Sequence, residues 1–202
     1  MLEKLNLDKN IVSKDLLSKI DSARISVKAL NRKPIVAFFG AFDAGKSTAI
    51  NTVIAENALP ASYQPATSVI NLLIHTSERP EAISNKVAVF GKGFMPHMIN
   101  DPVLVSKYLI EQGDLELLER SGTHEYNEKV EKSQVHMAVV FSNAPILEKI
   151  WLLDTPGDLN NEDTDDTALA LSGVDFADAI VFVSAHAGFM KQTDLGFAAN
   201  VI

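Results

Sequence analysis

The chain has 202 residues, 47% apolar and 22% charged, with a net charge of -8 and no cysteine. That length suits one domain with a real core, and the missing cysteines exclude disulfides, thiolate zinc sites and cysteine nucleophiles. The acidic balance argues against a nucleic-acid partner or a polybasic membrane patch; no apolar run nears the ~20 residues of a membrane span, and the N-terminus lacks a signal-type apolar core, so a cytoplasmic location is expected.

The first thirty residues read as helix. Leu16, Ile20, Ala23, Val27 and Leu30 recur at alternating spacings of four and three, which puts them on one stripe. That stripe serves equally well to pack on its own domain or to reach a partner segment. Residues 34–39 are apolar and predict a first strand, and residues 46–57 a first helix closed by Leu59 and Pro60. A polar loop runs to Thr67. Strands are predicted at 69–74 and 86–90. Residues 91–133 break the alternation with charged, helix-compatible stretches such as 108–111 and 115–120, and predict a largely solvated helical insertion. Strands follow at 135–141, 149–154 and 177–184, with an acidic loop at 161–166 and a final helix at 195–202. The fold class this implies is α/β: a three-layer, doubly wound, mainly parallel sheet with an N-terminal helix and a helical insertion.

The junction between the first strand and helix carries the chemistry. Gly40, Ala41, Phe42, Asp43, Ala44, Gly45, Lys46 and Ser47 fit G-x-x-x-x-G-K-[ST], followed by Thr48. This is a phosphate-binding loop in its required strand–loop–helix setting. Such a loop wraps backbone N–H groups around a polyphosphate and aims a helix N-terminus at it. Lys46 then neutralises the outer phosphates and Ser47 ligates Mg2+. A second piece is Asp154 in D-T-P-G, after the apolar residues 150–153. Its carboxylate would reach the metal through water, and Gly157 would offer its N–H to the terminal phosphate. D-x-x-G alone is a weak signal; behind an apolar strand, in a chain with a phosphate loop, it is strong. The third piece is Thr67, in the loop where a nucleotide switch ligates Mg2+ and senses the terminal phosphate, with Ser68 as fallback. The bland readings are a glycine-rich turn, a strand-ending turn and a polar loop threonine.

These residues resemble the dynamin-like large GTPases, especially their bacterial branch. The stretch from Gly40 through Asn51 resembles that family's phosphate loop. Leu59 and Pro60, followed by residues 65–69, resemble its first switch, residues 145–147 and 151–157 its second switch and preceding strand, and residues 177–183 its next strand. The likeness covers about 34–190 and is weakest over 91–133. The long separation of Ser47 from Asp154 also fits a large GTPase better than a small one. The resemblance implies a GTPase domain over 32–202 and a neck-type helix over 1–31. It further implies GTP and GDP as ligands, Mg2+ as cofactor, slow basal turnover, and self-association across the nucleotide face. Membrane contact, peripheral in the full-length protein, would come through regions outside this sequence.

Three features depart from the family pattern. The guanine-reading [NT]-K-x-D is absent, so the GTPase domain is expected to continue past Ile202, and ATP is not excluded by any residue present. Asp43 stands where the family commonly has Ser or Asn, a position that helps hold a monovalent cation; an Asp there could hold K+ or Na+ more strongly or repel the phosphates. Asp158 and Leu159 follow Gly157 where a Ras-type glutamine would stand. The competing functions are a nucleotide-dependent interaction module with little hydrolysis, and a phosphate-loop ATPase or kinase. The five histidines are scattered without ligand spacing. Glu162, Asp163, Asp165 and Asp166 read as a solvated loop, and Trp151 as core.

Overall fold

A computed structural model describes residues 16, 19, 32–41, 43–60, 69–121, 126, 135–156 and 175–184. The chain divides into two compact units, Met1–Arg32 and Lys33–Ile202. In the first, Leu16 and Lys19 are helical and exposed; the rest of the expected apolar stripe lies outside the described residues, as does the helix expected at 195–202.

The second unit is built on a seven-stranded sheet: β1 Ile35–Phe39, β2 Ile70–His75, β3 Val87–Gly91, β4 Leu109–Gly113, β5 Val135–Ser142, β6 Trp151–Asp154 and β7 Ala179–Phe182. The spatial order is β4-β3-β5-β2-β6-β1-β7. The three strands β6, β1 and β7 run parallel, as do β2 and β5. β2 is antiparallel to β6, and β3 is antiparallel to both β4 and β5. The sheet is therefore mixed, with its parallel part at the end that carries the motifs.

Alternation along the strands sorts the core into two layers, as expected for a sheet covered on both faces. One layer joins Ile35, Phe39, Leu72, Phe90, Val139 and Leu153 to Ile99 and Val105. The other joins Phe38, Leu73, Val89, Val140 and Leu152 to Ile50 and Ile54 of helix α1, Lys46–Ile54. Trp151 is fully buried, as its apolar strand predicts. Its indole Nε1 donates to Glu78 Oε2 at 3.1 Å, and Lys33 Nζ donates to the same oxygen at 2.6 Å. A buried indole N–H needs such a partner.

Helix α1 stops three residues short of the sequence expectation. Ala55 takes a left-handed conformation at φ 53°, and its N–H bonds back to Thr52 O. Asn51 explains the early stop. Its buried Nδ2 donates to Leu59 O at 2.8 Å, while its Oδ1 accepts from Ala58 N and Leu59 N at 3.1 and 3.0 Å. The chain is folded back over the helix end before Pro60 is reached.

The segment 91–133 also differs from expectation. Within its described part, helix α2, Pro102–Tyr108, is capped by Asp101, whose side chain accepts from Val103 N and Leu104 N. Helix α3, Glu116–Ser121, buries Leu117 and Leu118. Between them β4 is a strand. It lines the open edge of β3, and Gln112 Oε1 accepts from Ser84 N at 2.8 Å while Nε2 donates to Ala82 O at 3.2 Å. Leu, Glu and Gln favour helix in isolation, but a sheet edge offers unpaired N–H and C=O groups that override so weak a preference. The described part of the segment thus carries the expected helices, with one strand among them that extends the sheet, and Val105, Leu117 and Leu118 pack into the core rather than into solvent.

Candidate functional site

The site forms where β1 and β6 end side by side. Phe38 lies opposite Asp154 in their parallel register, so the phosphate loop and the acidic strand end emerge together. Thr155 joins them: its buried Oγ1 donates to Phe38 O at 2.9 Å. On the other side of β1, Val183 N donates to Phe39 O at 2.6 Å.

The loop backbone turns through three positive-φ residues, Gly40 at 153°, Asp43 at 62° and Gly45 at 90°. Asp tolerates that region better than most side chains, which explains how it fits there. Ala44 N donates to Ala41 O at 3.2 Å, which closes the turn. Gly45 caps α1 without any side-chain cap, and the first helical turn contains no acidic residue. Its first N–H groups are therefore left for an anion. A Cβ on Gly45 would meet nothing within 4 Å, so the space in front of the helix end is open. Asp43 and Thr48 are exposed.

Inside the loop the side chains are charged and buried. Lys46 is 7% exposed, and its Nζ donates to Gly40 O and Ala41 O, both at 3.0 Å. Burial pushes the lysine pKa down, and the Asp154 charge partly restores it. Ser47 Oγ donates to Asp154 Oδ2 at 2.7 Å. Asp154 is 3% exposed, and its Oδ1 makes no hydrogen bond. Burial pushes its carboxyl pKa up, opposed by Ser47, by Lys46 and by the Asn71 carboxamide.

This donor set fits a hydrated divalent cation beside a polyphosphate. A buried carboxylate oxygen without a partner is costly, and a cation relieves that cost. The hydroxyl and carboxylate that would hold such an ion, Ser47 and Asp154, are already in contact. Of the site residues read from sequence, Gly40, Asp43, Ala44, Gly45, Lys46, Ser47, Thr48 and Asp154 are brought together. Phe42, Thr67, Ser68 and Gly157 lie outside the described residues. Asn71 was missed. It shares this end of the sheet only because β2 runs antiparallel to β6 and sets Asn71 opposite Asp154, a register no local pattern reveals.

A family profile described as the dynamin family matches residues 36–202. The chain belongs to the dynamin family. The profile spans the whole of the site just described. A bacterial dynamin-like protein of Nostoc punctiforme is 31% identical over 140 residues, covering 69% of this chain and 18% of that protein. Two solved structures of an oligomerised bacterial dynamin pair, associated with long-range sensing and tethering of membranes, are similar at 21% identity with TM-scores of 0.49. They cover 90% of this chain and 24% and 25% of theirs. The dynamin-type chain thus spans about a fifth of the curated relative and a quarter of the solved ones.

Among the described residues, no helix is long and apolar enough to cross a membrane.

Proposed function

We propose that this chain is the nucleotide-binding part of a dynamin-type GTPase domain that binds GTP with Mg2+ and hydrolyses it to GDP and phosphate. In this reading 32–202 belong to that domain and 1–31 are a neck-type helix. The observation that supports it best is the Ser47–Asp154 hydrogen bond beside a buried Lys46, at the open end of a positively polarised helix. Lys46 would leave its loop carbonyls for the outer phosphates. The N–H groups from Asp43 to Thr48 would cradle them. Ser47, Thr67 and, through water, Asp154 would hold Mg2+, which when bound neutralises charge developing on the phosphate oxygens. Gly157 and the Thr67 backbone would position the terminal phosphate and the attacking water. That water forms the new bond to phosphorus as the bond to the GDP oxygen breaks. Asp43 would hold a monovalent cation, K+ or Na+, against the phosphates.

With no glutamine after Gly157, basal turnover is expected to be slow and to rise when two copies meet across the nucleotide face. In the full-length protein, a cytoplasmic one lying peripherally at a membrane, GTP turnover per molecule should climb with protein concentration. It should fall in both wild type and Asp43→Asn when K+ is replaced by a bulky organic cation. A flat concentration series removes the self-association step. Tight GTP binding without phosphate release would instead make the protein a nucleotide-dependent interaction module.

A further inference from the structure

Seven polar or charged side chains are buried among the described residues: Lys46, Asn51, Asn71, Ser121, Ser142, Asp154 and Thr155. Four have structural employment. Asn51 holds the loop after α1, Ser121 donates to Leu118 O, Ser142 donates to Glu56, and Thr155 donates to Phe38 O. The other three, Lys46, Asp154 and Asn71, converge on one place.

Asn71 is the unexpected member. It interrupts the apolar run Ile70, Leu72, Leu73, Ile74 of a central strand, where asparagine is disfavoured, and it is only 5% exposed. It stands directly opposite Asp154 in the antiparallel pair, so the two side chains lie on the same face of the sheet, the face α1 covers. Ser47, at the start of α1, reaches Asp154 from above on that face. Asp154 Oδ2 is taken by Ser47, while Oδ1 has no direct partner. The Asn71 carboxamide acts on the Asp154 carboxylate as a hydrogen-bonding neighbour that favours its charged form, and the oxygen without a close partner, Oδ1, is placed for a bridging water.

We propose that Asn71 is a positioning residue of the metal site, acting through Asp154: its carboxamide orients the carboxylate so that Oδ1 accepts from the water through which Asp154 would reach Mg2+. This rests on the metal-site reading above and assigns it a member from outside the recognised motifs. Groups that orient a metal's ligands typically matter by 10–100-fold in affinity.

The test uses the full-length protein and a fluorescent GTP analogue, with affinity measured in EDTA and across a Mg2+ titration. Asn71→Val and Asn71→Thr have nearly the same shape, and only threonine keeps a hydrogen-bond donor. Asn71→Val should raise the Mg2+ concentration needed for half-maximal binding about 10-fold, Asn71→Thr should restore most of it, and affinity in EDTA should be unchanged in both. Equal shifts in Val and Thr, or no shift in either, would overturn the assignment. Ser47→Ala is the control. If it raises the Mg2+ requirement and Asn71→Val does not, the Asn71 role alone falls. If neither does, the metal-site reading falls and takes this inference with it.

Discussion

Lys46→Ala and Lys46→Met should both lower triphosphate affinity by at least ~100-fold and GTP turnover by ~1,000-fold, since one aimed charge in a water-poor site is worth about 3–4 kcal/mol. The methionine variant is the informative one. It keeps the apolar stem that fills the loop and removes only the ammonium. If Lys46 merely packed the loop, methionine would be tolerated and alanine would not. The lysine's hydrogen bonds to Gly40 O and Ala41 O show that the ammonium is held inside the loop in advance. On binding, the ammonium would exchange these two carbonyl acceptors for phosphate oxygens. Isothermal titration of the full-length variants with a non-hydrolysable GTP analogue checks this, and wild-type affinity in Lys46→Met would contradict it.

The second large effect concerns stability. Gly40→Ala would place a Cβ 2.0 Å from Val183 O and 3.0 Å from Val183 C, in a backbone conformation at φ 153° that L side chains rarely adopt. Those atoms cannot step aside cheaply, because Val183 N is bonded to Phe39 O beside the same glycine. A backbone clash of this kind costs about 3 kcal/mol or more. In a protein of this size that corresponds to a fall in melting temperature of roughly 6–12 °C. Gly45→Ala behaves differently. Nothing lies within 4 Å of its Cβ, so only the positive φ is penalised, at about 1–2 kcal/mol. Its Cβ instead enters the space the phosphates would fill, so binding should suffer more than melting. Thermal melts and nucleotide titrations on the pair separate a glycine that closes the sheet against the loop from one that admits a ligand. Equal melting temperatures for the two variants would contradict this division.

The contrast between these glycines and Asn71 shows what the sequence made legible. Gly40, Gly45, Lys46 and Ser47 could be read directly because backbone cradling of phosphate restricts residue choice at fixed, local spacing. Asp154 could be read because an apolar strand ending in Asp is also a local pattern. β1, β2, β3, β5 and β6 begin and end within two residues of their expected limits, since apolar β-branched runs bounded by turns leave few alternatives. β4 was not legible: its Leu-Ile-Glu-Gln stretch favours helix, and only the free edge of β3 makes it a strand. The end of α1 at Ile54 rather than residue 57 depends on one side chain, Asn51, folding the loop back. The antiparallel insertion of β2 beside β6 is set by non-local pairing, and it alone gives Asn71 its partner. Residues whose roles arise from register across the sheet are silent in the sequence, and those whose roles arise from a local loop are not.

In the proposed function, Lys46, Ser47 and Asp154 serve Mg2+-dependent hydrolysis of a guanine nucleotide. The most direct measurement is phosphate release from GTP and from ATP by the full-length protein, in Mg2+ and in EDTA, beside Asp154→Asn. The expected result is release from GTP in Mg2+ alone, little from ATP, and none above background in Asp154→Asn. Release from GTP that survives EDTA or the loss of the Asp154 charge, or equal release from ATP, would contradict the account.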